Sequence, residues 1–86
     1  MTVKVEMYSK AGCPYCIRAA HLFKTKGVEI VEIGIDFDPE RTAEMRSRTG
    51  RRTVPQIYIG ATYVGGCDDL YALESDGKLD ALLQNA

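Results

Sequence analysis

The sequence predicts an α/β fold in which a four-stranded mixed sheet is flanked by helices. Three observations lead to this prediction. Two strand-like segments are separated by a segment with helical periodicity, which is the pattern of a βαβ unit. A second helical segment follows the second strand. After it, two short strand-like runs are joined by a very short connection, as in a hairpin. The predicted order is therefore β-α-β-α-β-β-α, with one further short helix at the end.

The first strand and the first helix are predicted around a pair of cysteines. Apolar side chains recur at every second position in Val3–Ser9, as in a strand with one buried face. From Pro14 onward they recur at helical spacing; Pro14 suits an early helix position and Gly27 suits the end of the helix. A turn over residues 9–12 joins the two elements. The segment Cys13–Cys16 therefore lies where the strand passes into the helix.

The second strand and helix follow directly. Val28–Asp36 is rich in Val and Ile, which is typical of a strand. Asp38 as a cap and Pro39 in the first turn predict a helix that runs to about Thr49–Gly50. This helix has few apolar residues. We therefore expect it to face solvent.

The last part of the chain predicts a hairpin and two helices. Gln56–Ile59 and Thr62–Val64 are separated by two residues, which indicates an antiparallel hairpin that the following glycines end. We expect the next helix to be capped by Asp68 or Asp69. A short terminal helix is predicted from the leucines within residues 79–83.

Length and composition limit the possible functions. The 86 residues have room for a single small domain, and 45% apolar with 27% charged residues is typical of globular proteins. The net charge of −1 favours neither nucleic acid nor an anionic membrane as partner, although five arginines between Arg41 and Arg52 suggest a local anionic ligand. The sequence shows no signal-peptide pattern and no apolar run of membrane-spanning length. We expect a cytoplasmic monomer comprising one domain over residues 1–86.

The cysteine pair indicates thiol–disulfide chemistry. Cysteines at positions i and i+3 of a first helical turn can close a small disulfide ring, and the first one meets unsatisfied helix N–H groups. Because these groups favour negative charge, Cys13 is expected to ionise more readily and attack, and Cys16 to resolve. The chain has three cysteines, an odd number that cannot form a complete disulfide framework.

Two other interpretations of the pair stay open. The cysteines could be small buried apolar residues. They could also bind zinc together with His21 and Cys67, although structural zinc sites usually gather ligands in two such pairs and only one is present. His21 lies two helical turns beyond Cys13, roughly 12 Å along the axis. We therefore interpret it as a helix-face residue rather than a base.

Two residues beside the pair are candidates for the site. Lys10 could bring a positive charge near the Cys13 thiolate, or could be a solvated loop lysine. Tyr15 is expected to be more exposed than a core aromatic residue, so it could offer its ring and hydroxyl to a substrate or simply fill the turn.

A proline marks a third candidate segment, Thr53-Val54-Pro55. A proline at this position indicates a sheet edge, a strand start or a cis bond. A cis bond would turn the N–H and C=O of Val54 outward, where they could pair with an extended peptide substrate. A purely structural role for Pro55 is the alternative.

The turn Gly65–Asp69 is the fourth candidate segment. It joins a permissive backbone to a helix N-terminus, whose N–H groups could bind a carboxylate. Asp68 and Asp69 could receive an ammonium group, so a ligand with an α-carboxylate and an α-amine would be held at both ends. An ordinary glycine turn with a helix cap is the alternative. Cys67 is interpreted as a packed small residue, and formation of a mixed disulfide is the alternative.

Together these segments resemble the glutaredoxins, most closely the short bacterial dithiol type. Cys13–Cys16 is similar to their dithiol motif, Thr53-Val54-Pro55 to their cis-proline segment and Gly65–Asp69 to their glutathione-binding turn. The resemblance covers nearly the whole chain and implies the thioredoxin fold. Their iron–sulfur-binding relatives carry a monothiol motif, from which Pro14 and Cys16 depart, so the resemblance disfavours cluster binding.

The resemblance also implies roles for individual residues. It makes Cys13 the nucleophile and Cys16 the resolving thiol. Val54 would bind the cysteinyl backbone of glutathione, and its glycine carboxylate would face Lys10 and either Arg51 or Arg52. Apart from this arginine, the glutathione site implied by the resemblance comprises Lys10, Tyr15, Thr53, Val54, Pro55, Gly66, Cys67 and Asp68.

The expected activity is glutathione-dependent reduction of glutathione mixed disulfides through Cys13 and of protein disulfides through Cys13 and Cys16. Glutathione would be a co-substrate, with no metal or tightly bound cofactor, and the partners would be protein disulfides or glutathionylated proteins. Electron donation to ribonucleotide reductase is one expected use. Two alternatives stay open: a thioredoxin-like protein recharged by an NADPH-dependent reductase, and an iron–sulfur or zinc carrier that uses Cys13.

Overall fold

A computed structural model describes residues 3–84 of the chain. Within this range the chain forms four strands and four helices in the predicted order. The elements are β1 (Val5–Ser9), α1 (Pro14–Thr25), β2 (Ile30–Gly34), α2 (Pro39–Thr49), β3 (Gln56–Ile59), β4 (Thr62–Gly65), α3 (Cys67–Ser75) and α4 (Leu79–Gln84). No helix of residues 3–84 is both long and apolar enough to cross a membrane.

The four strands form one mixed sheet in the order β2-β1-β3-β4. β1 pairs in parallel with β2 and antiparallel with β3, and β3 pairs antiparallel with β4. Since parallel neighbours need a crossover, α1 makes the connection between β1 and β2. β1 is therefore an interior strand, and its carboxyl end leads directly into the turn before the cysteine pair.

The sheet has a core on each face. The larger core includes Met7, Phe23, Ile57 and Leu70, which are fully buried. A smaller core beneath α2 consists of Tyr8, Ile35 and Met45. Met45 is the buried residue of α2, so the prediction of a mostly solvent-facing helix is confirmed.

Tyr8 shows how α2 is fixed to the sheet. The alternation in β1 placed Tyr8 among the polar positions, yet it is fully buried because α2 covers that face. Its hydroxyl donates to Glu44 at 2.6 Å and accepts from the Arg48 guanidinium at 2.7 Å. A buried hydroxyl that both donates and accepts a hydrogen bond is stable in a protein core.

The predicted start of α3 is wrong. The helix begins at Cys67 with Gly66 as its N-cap, rather than with Asp68 or Asp69. The Asp69 carboxylate, in the third helical position, instead accepts the backbone N–H of Gly66 at 3.0 Å. An acidic side chain reaching back in this way satisfies an N–H at the helix end from inside the helix.

Candidate active site

Cys13 lies at the N-cap of α1 and is half-buried. Its backbone is extended, with φ −82° and ψ 112°, and Pro14 occupies the first helical position. This geometry turns the sulfur toward the first turn, where it accepts the backbone N–H of Cys16 at 3.3 Å. An N–H directed at a sulfur stabilises its anionic form, so the arrangement suits Cys13 as a nucleophile.

Cys16 lies one turn further along the same helix and is buried, with 4% of its surface exposed. Burial, with a contribution from the hydrogen bond to Cys13, raises the pKa of the Cys16 thiol to about 12. At neutral pH this thiol is therefore protonated. Both cysteines are free thiols in this structure, so the pair is in its reduced form.

The loop before β3 lies opposite Cys13. The Val54–Pro55 peptide bond is cis, and the Cys13 thiol points at the Val54 carbonyl oxygen, 3.9 Å from the sulfur. Pro55 directly precedes β3, which is an interior strand of the sheet. Of the three interpretations of this proline, the cis bond and the strand start are confirmed, and the sheet edge is wrong.

A groove of about 300 Å³ opens between these segments and α3. It brings together seven of the residues that the resemblance assigned to a ligand site, with three further residues. The seven are Tyr15, Thr53, Val54, Pro55, Gly66, Cys67 and Asp68, and the three are Arg51, Gln56 and Asp69. Segments that are about 40 residues apart in the chain therefore meet at one surface, as the strand order requires.

Lys10 and Tyr15 differ in their position relative to this groove. Tyr15 lines it and is 54% exposed, as the sequence predicted. Lys10 is exposed and does not belong to the lining, although its carbonyl accepts the Cys13 N–H at 3.4 Å. Its backbone therefore shapes the turn at Cys13.

The acidic end of the groove is organised by Asp69. One carboxylate oxygen of Asp69 accepts the Gly66 N–H at 3.0 Å and the Arg51 guanidinium at 3.3 Å. Asp68 lines the groove and is exposed. The two aspartates thus differ: Asp69 is paired within the protein, and Asp68 is placed at the surface of the groove.

Gly65 has to be a glycine because of this carboxylate. Its φ is +113°, in the region that favours glycine, and a side chain there would collide with the Asp69 carboxylate. The close approach of the turn to the helix N-terminus depends on this residue.

The structure also separates the two arginines that the sequence left open. Arg51 lines the groove and lies over the Tyr63 ring at 5.9 Å from its centroid, whereas Arg52 is exposed and lies outside the lining. The choice depends on which arginine faces Asp69 across the fold, which no local pattern indicates.

Gln56 is a groove residue that the sequence reasoning missed. It is 1% exposed and fully hydrogen-bonded. The available signal was a carboxamide directly after the proline, at the start of an otherwise apolar and aromatic strand. A polar residue in such a position is buried only with partners.

Cys67 and His21 lie where the sequence placed them. Cys67 is 6% exposed, and burial raises the pKa of its thiol. His21 is exposed on α1. Within residues 3–84 no three His, Cys, Asp or Glu side chains gather in a group that could hold a metal ion.

A family model described as "Glutaredoxin" matches residues 5–64 of the chain. Among characterised relatives, the chain is 60% identical over 79 residues to a glutaredoxin of Pseudomonas aeruginosa, covering 92% of this chain and 94% of that protein. It is 54% identical over 80 residues to glutaredoxin 3 of Escherichia coli, covering 93% and 96% respectively.

Solved structures of glutaredoxins have the same fold as this chain. The solution structure of a glutaredoxin from Brucella melitensis superposes with a TM-score of 0.85 at 57% identity, covering 96% of this chain and 90% of that one. The crystal structure of a buckwheat glutaredoxin–glutathione complex gives a TM-score of 0.86 at 34% identity, covering 94% and 76%. The thioredoxin fold expected from the sequence is confirmed.

Proposed function

The chain belongs to the glutaredoxin family of thiol–disulfide oxidoreductases, and on that premise we propose that it uses glutathione in two distinct routes of disulfide reduction. The observation that carries the proposal is the placement of Cys13. Its sulfur accepts the Cys16 N–H at 3.3 Å and faces the Val54 carbonyl at 3.9 Å, beside the groove. A nucleophilic sulfur next to the Val54 backbone, which lines a ligand-sized groove, suits a peptide disulfide.

The first route uses Cys13 alone. The Cys13 thiolate attacks the glutathione sulfur of a mixed disulfide; a Cys13–glutathione bond forms and the substrate leaves as a thiolate. The thiolate of a second glutathione then attacks the glutathione sulfur held on Cys13. Glutathione disulfide is released, and the Cys13 thiolate is restored.

The second route uses both cysteines. Cys13 attacks a protein disulfide and forms a mixed disulfide with the protein, and Cys16 then attacks the Cys13 sulfur, so that the reduced protein leaves. Because the buried Cys16 thiol is neutral at rest, it gives up its proton as it attacks. Two molecules of glutathione then reduce the Cys13–Cys16 bond and leave as glutathione disulfide.

The groove residues supply the proposed glutathione site. The Val54 backbone would pair with the cysteinyl residue, and the turn at Gly66 and Cys67, with Asp68, would hold the glutamyl end. The buckwheat glutaredoxin, whose crystal structure is a complex with glutathione, supports the choice of glutathione as the ligand.

The other end of glutathione would meet basic and aromatic groups. We assign its glycine carboxylate to Arg51 rather than Arg52, because Arg51 lines the groove. Lys10 would contribute from the turn above Cys13, and Tyr15 and Thr53 would border the peptide.

The wider setting is also part of the proposal. We infer a cytoplasmic monomer of one domain that needs no tightly bound cofactor and acts on glutathionylated proteins and protein disulfides. Electron donation to ribonucleotide reductase is one use that this chemistry would serve.

The proposed function is tested by offering the oxidised protein two sources of electrons. One mixture holds glutathione, glutathione reductase and NADPH; the other holds thioredoxin reductase and NADPH. We expect reduction of the Cys13–Cys16 bond in the first mixture only. Reduction by thioredoxin reductase alone would contradict the proposal and favour a thioredoxin-like protein. Metal analysis and visible absorption of anaerobically purified protein test the metal-carrier alternative in the same preparation.

A further inference from the structure

Gln56 is a buried carboxamide whose two ends are both occupied. Leaving either end unpaired in the protein interior would cost free energy, so its partners show what holds it in place. Its Nε2 donates to the Thr53 carbonyl at 2.9 Å and to the Thr53 hydroxyl at 3.2 Å. Its Oε1 accepts the hydroxyl of Tyr63.

These bonds close the loop that carries the cis peptide. Thr53 and Gln56 lie on either side of Val54–Pro55, so the Gln56 side chain joins the two ends of the loop. The loop is thereby a closed turn, and Val54 stands at its tip with its carbonyl 3.9 Å from the Cys13 sulfur.

The closed turn is fixed to the sheet through Tyr63. Tyr63 lies in β4, and its ring packs against Tyr58 of β3 with centroids 5.2 Å apart. A continuous series of contacts therefore leads from β4 through Gln56 and Thr53 to the backbone beside Cys13. Such contacts around a reacting group fix its geometry.

The geometry points to Gln56 as a positioning residue for the glutathione reaction, one that holds the Thr53–Val54 backbone at the correct distance from Cys13. This inference rests on the proposed function. The role needs an acceptor for Tyr63 and a donor for Thr53 on one side chain. Glutamate would keep the acceptor but face the Thr53 carbonyl with a second acceptor, and methionine would fill a similar volume with neither group.

The test compares Gln56→Met and Gln56→Glu with wild type in steady-state reduction of a small glutathione mixed disulfide. We expect KM to rise about tenfold in both variants, the change expected for about one lost hydrogen bond of binding energy, and kcat to change less. Gln84→Met, the same change at an exposed residue of α4 outside the groove, should keep the wild-type KM.

Tyr63→Phe adds a second, independent readout. It removes the hydroxyl that holds Gln56, so KM should rise here too. Because both residues act in one series of contacts, the double variant with Gln56→Met should be less impaired than the two single effects combined predict. Full additivity in the double variant would contradict a shared series of contacts.

The outcomes separate this inference from the function on which it rests. If glutathione does not reduce the oxidised wild-type protein, the proposed function is wrong, and this is known before any variant is made. If wild type is active, a wild-type KM in any folded variant of Gln56 overturns the inference, even where the melting temperature falls, because that pattern belongs to a purely structural residue. Should Gln56→Met fail to fold, Gln56→Glu and Tyr63→Phe carry the same expectation.

Discussion

The backbone N–H of Cys16 points at the sulfur of Cys13, 3.3 Å away. The second cysteine of the pair therefore stabilises the first through its main chain, while its own side chain is buried. A main-chain donor stays in place when the side chain is replaced. This separates the two contributions of residue 16: its N–H contacts the Cys13 sulfur, and its thiol is the group that would act in the proposed resolving step.

The first prediction follows from that separation. Cys16→Ser should retain reduction of a small glutathione mixed disulfide, because the N–H to Cys13 remains, and should lose dithiol reduction of a protein disulfide. Cys13→Ser should abolish both. The measurement is a glutathione-coupled assay on each substrate with both variants. Equal loss of the two activities in Cys16→Ser would contradict the two-route mechanism.

The second prediction concerns the order in which the thiols react. Burial raises the pKa of both Cys16 and Cys67, so both stay protonated and shielded near neutral pH. Brief treatment of the reduced protein with iodoacetamide should give a single adduct, on Cys13, by peptide mass spectrometry. Treatment in denaturant is the control and should modify all three cysteines. An adduct on Cys67 at a rate similar to Cys13 would argue against its interpretation as a packed residue.

The third prediction is a loss of stability at alkaline pH. Burial raises the pKa of Cys16 from 9.0 to about 12, so the unfolded chain gives up this proton at lower pH than the folded chain. The stabilisation from this group is complete below about pH 9 and is lost as the pH rises toward about 12. Urea unfolding of the reduced protein should show a lower free energy of unfolding at about pH 10 than at about pH 7. The decrease should be smaller in Cys16→Ser, and an equal decrease would assign the effect to other groups.

The fourth prediction concerns Gly65. Gly65→Ala places a side chain against the Asp69 carboxylate on a backbone with φ +113°. The free energy of unfolding should fall by about 1 to 3 kcal/mol, as for other strained backbone positions. The Asp69 carboxylate would also shift away from Gly66, so KM for the glutathione mixed disulfide should rise. Gly50→Ala is the matched control, since its φ of +71° is also positive but a side chain at that position meets open space. Similar losses in the two variants would show that the Asp69 contact is unimportant.

The fifth prediction concerns the attachment of α4. The Lys26 ammonium at the end of α1 binds Glu74 of α3 at 2.8 Å and Asp80 of α4 at 2.7 Å. Lys26→Met keeps much of the aliphatic stem but removes the charge, so the melting temperature should fall. The difference from wild type should shrink in concentrated salt, because salt screens the ion pairs of the wild type. Lys24→Met, at an exposed position two residues earlier in the chain, should have little effect.

The elements were predictable because each depends on its own local pattern. A few neighbouring residues are enough to predict each of these elements. Examples are the alternation in β1, the helix start at Asp38–Pro39 and the two-residue connection at Gly60–Ala61. The position of the pair Cys13–Cys16 in the fold could be predicted for the same reason. Its position on a strand-to-helix junction follows from neighbouring residues alone.

The parts that could not be predicted depend on contacts between distant segments. Arg51 rather than Arg52 lines the groove because residue 51 faces Asp69 once the sheet has formed. Tyr8 is buried because α2 covers a face of β1 that the alternation marked as polar. The start of α3 was misplaced because the Gly66 N–H donates its hydrogen bond to a side chain inside the helix, and the acidic residues there resemble a cap at Asp68 or Asp69.

The double use of the Asp69 carboxylate has a consequence for how this protein can evolve. One oxygen accepts both the N–H of Gly66, the N-cap of α3, and the Arg51 guanidinium that borders the groove. A substitution at residue 69 that altered ligand preference would therefore also remove the acceptor at the start of the helix, and a side chain at Gly65 would displace the same carboxylate. Changes in specificity are thus more accessible at Asp68 or Tyr15, whose exposed side chains can vary without disturbing the backbone.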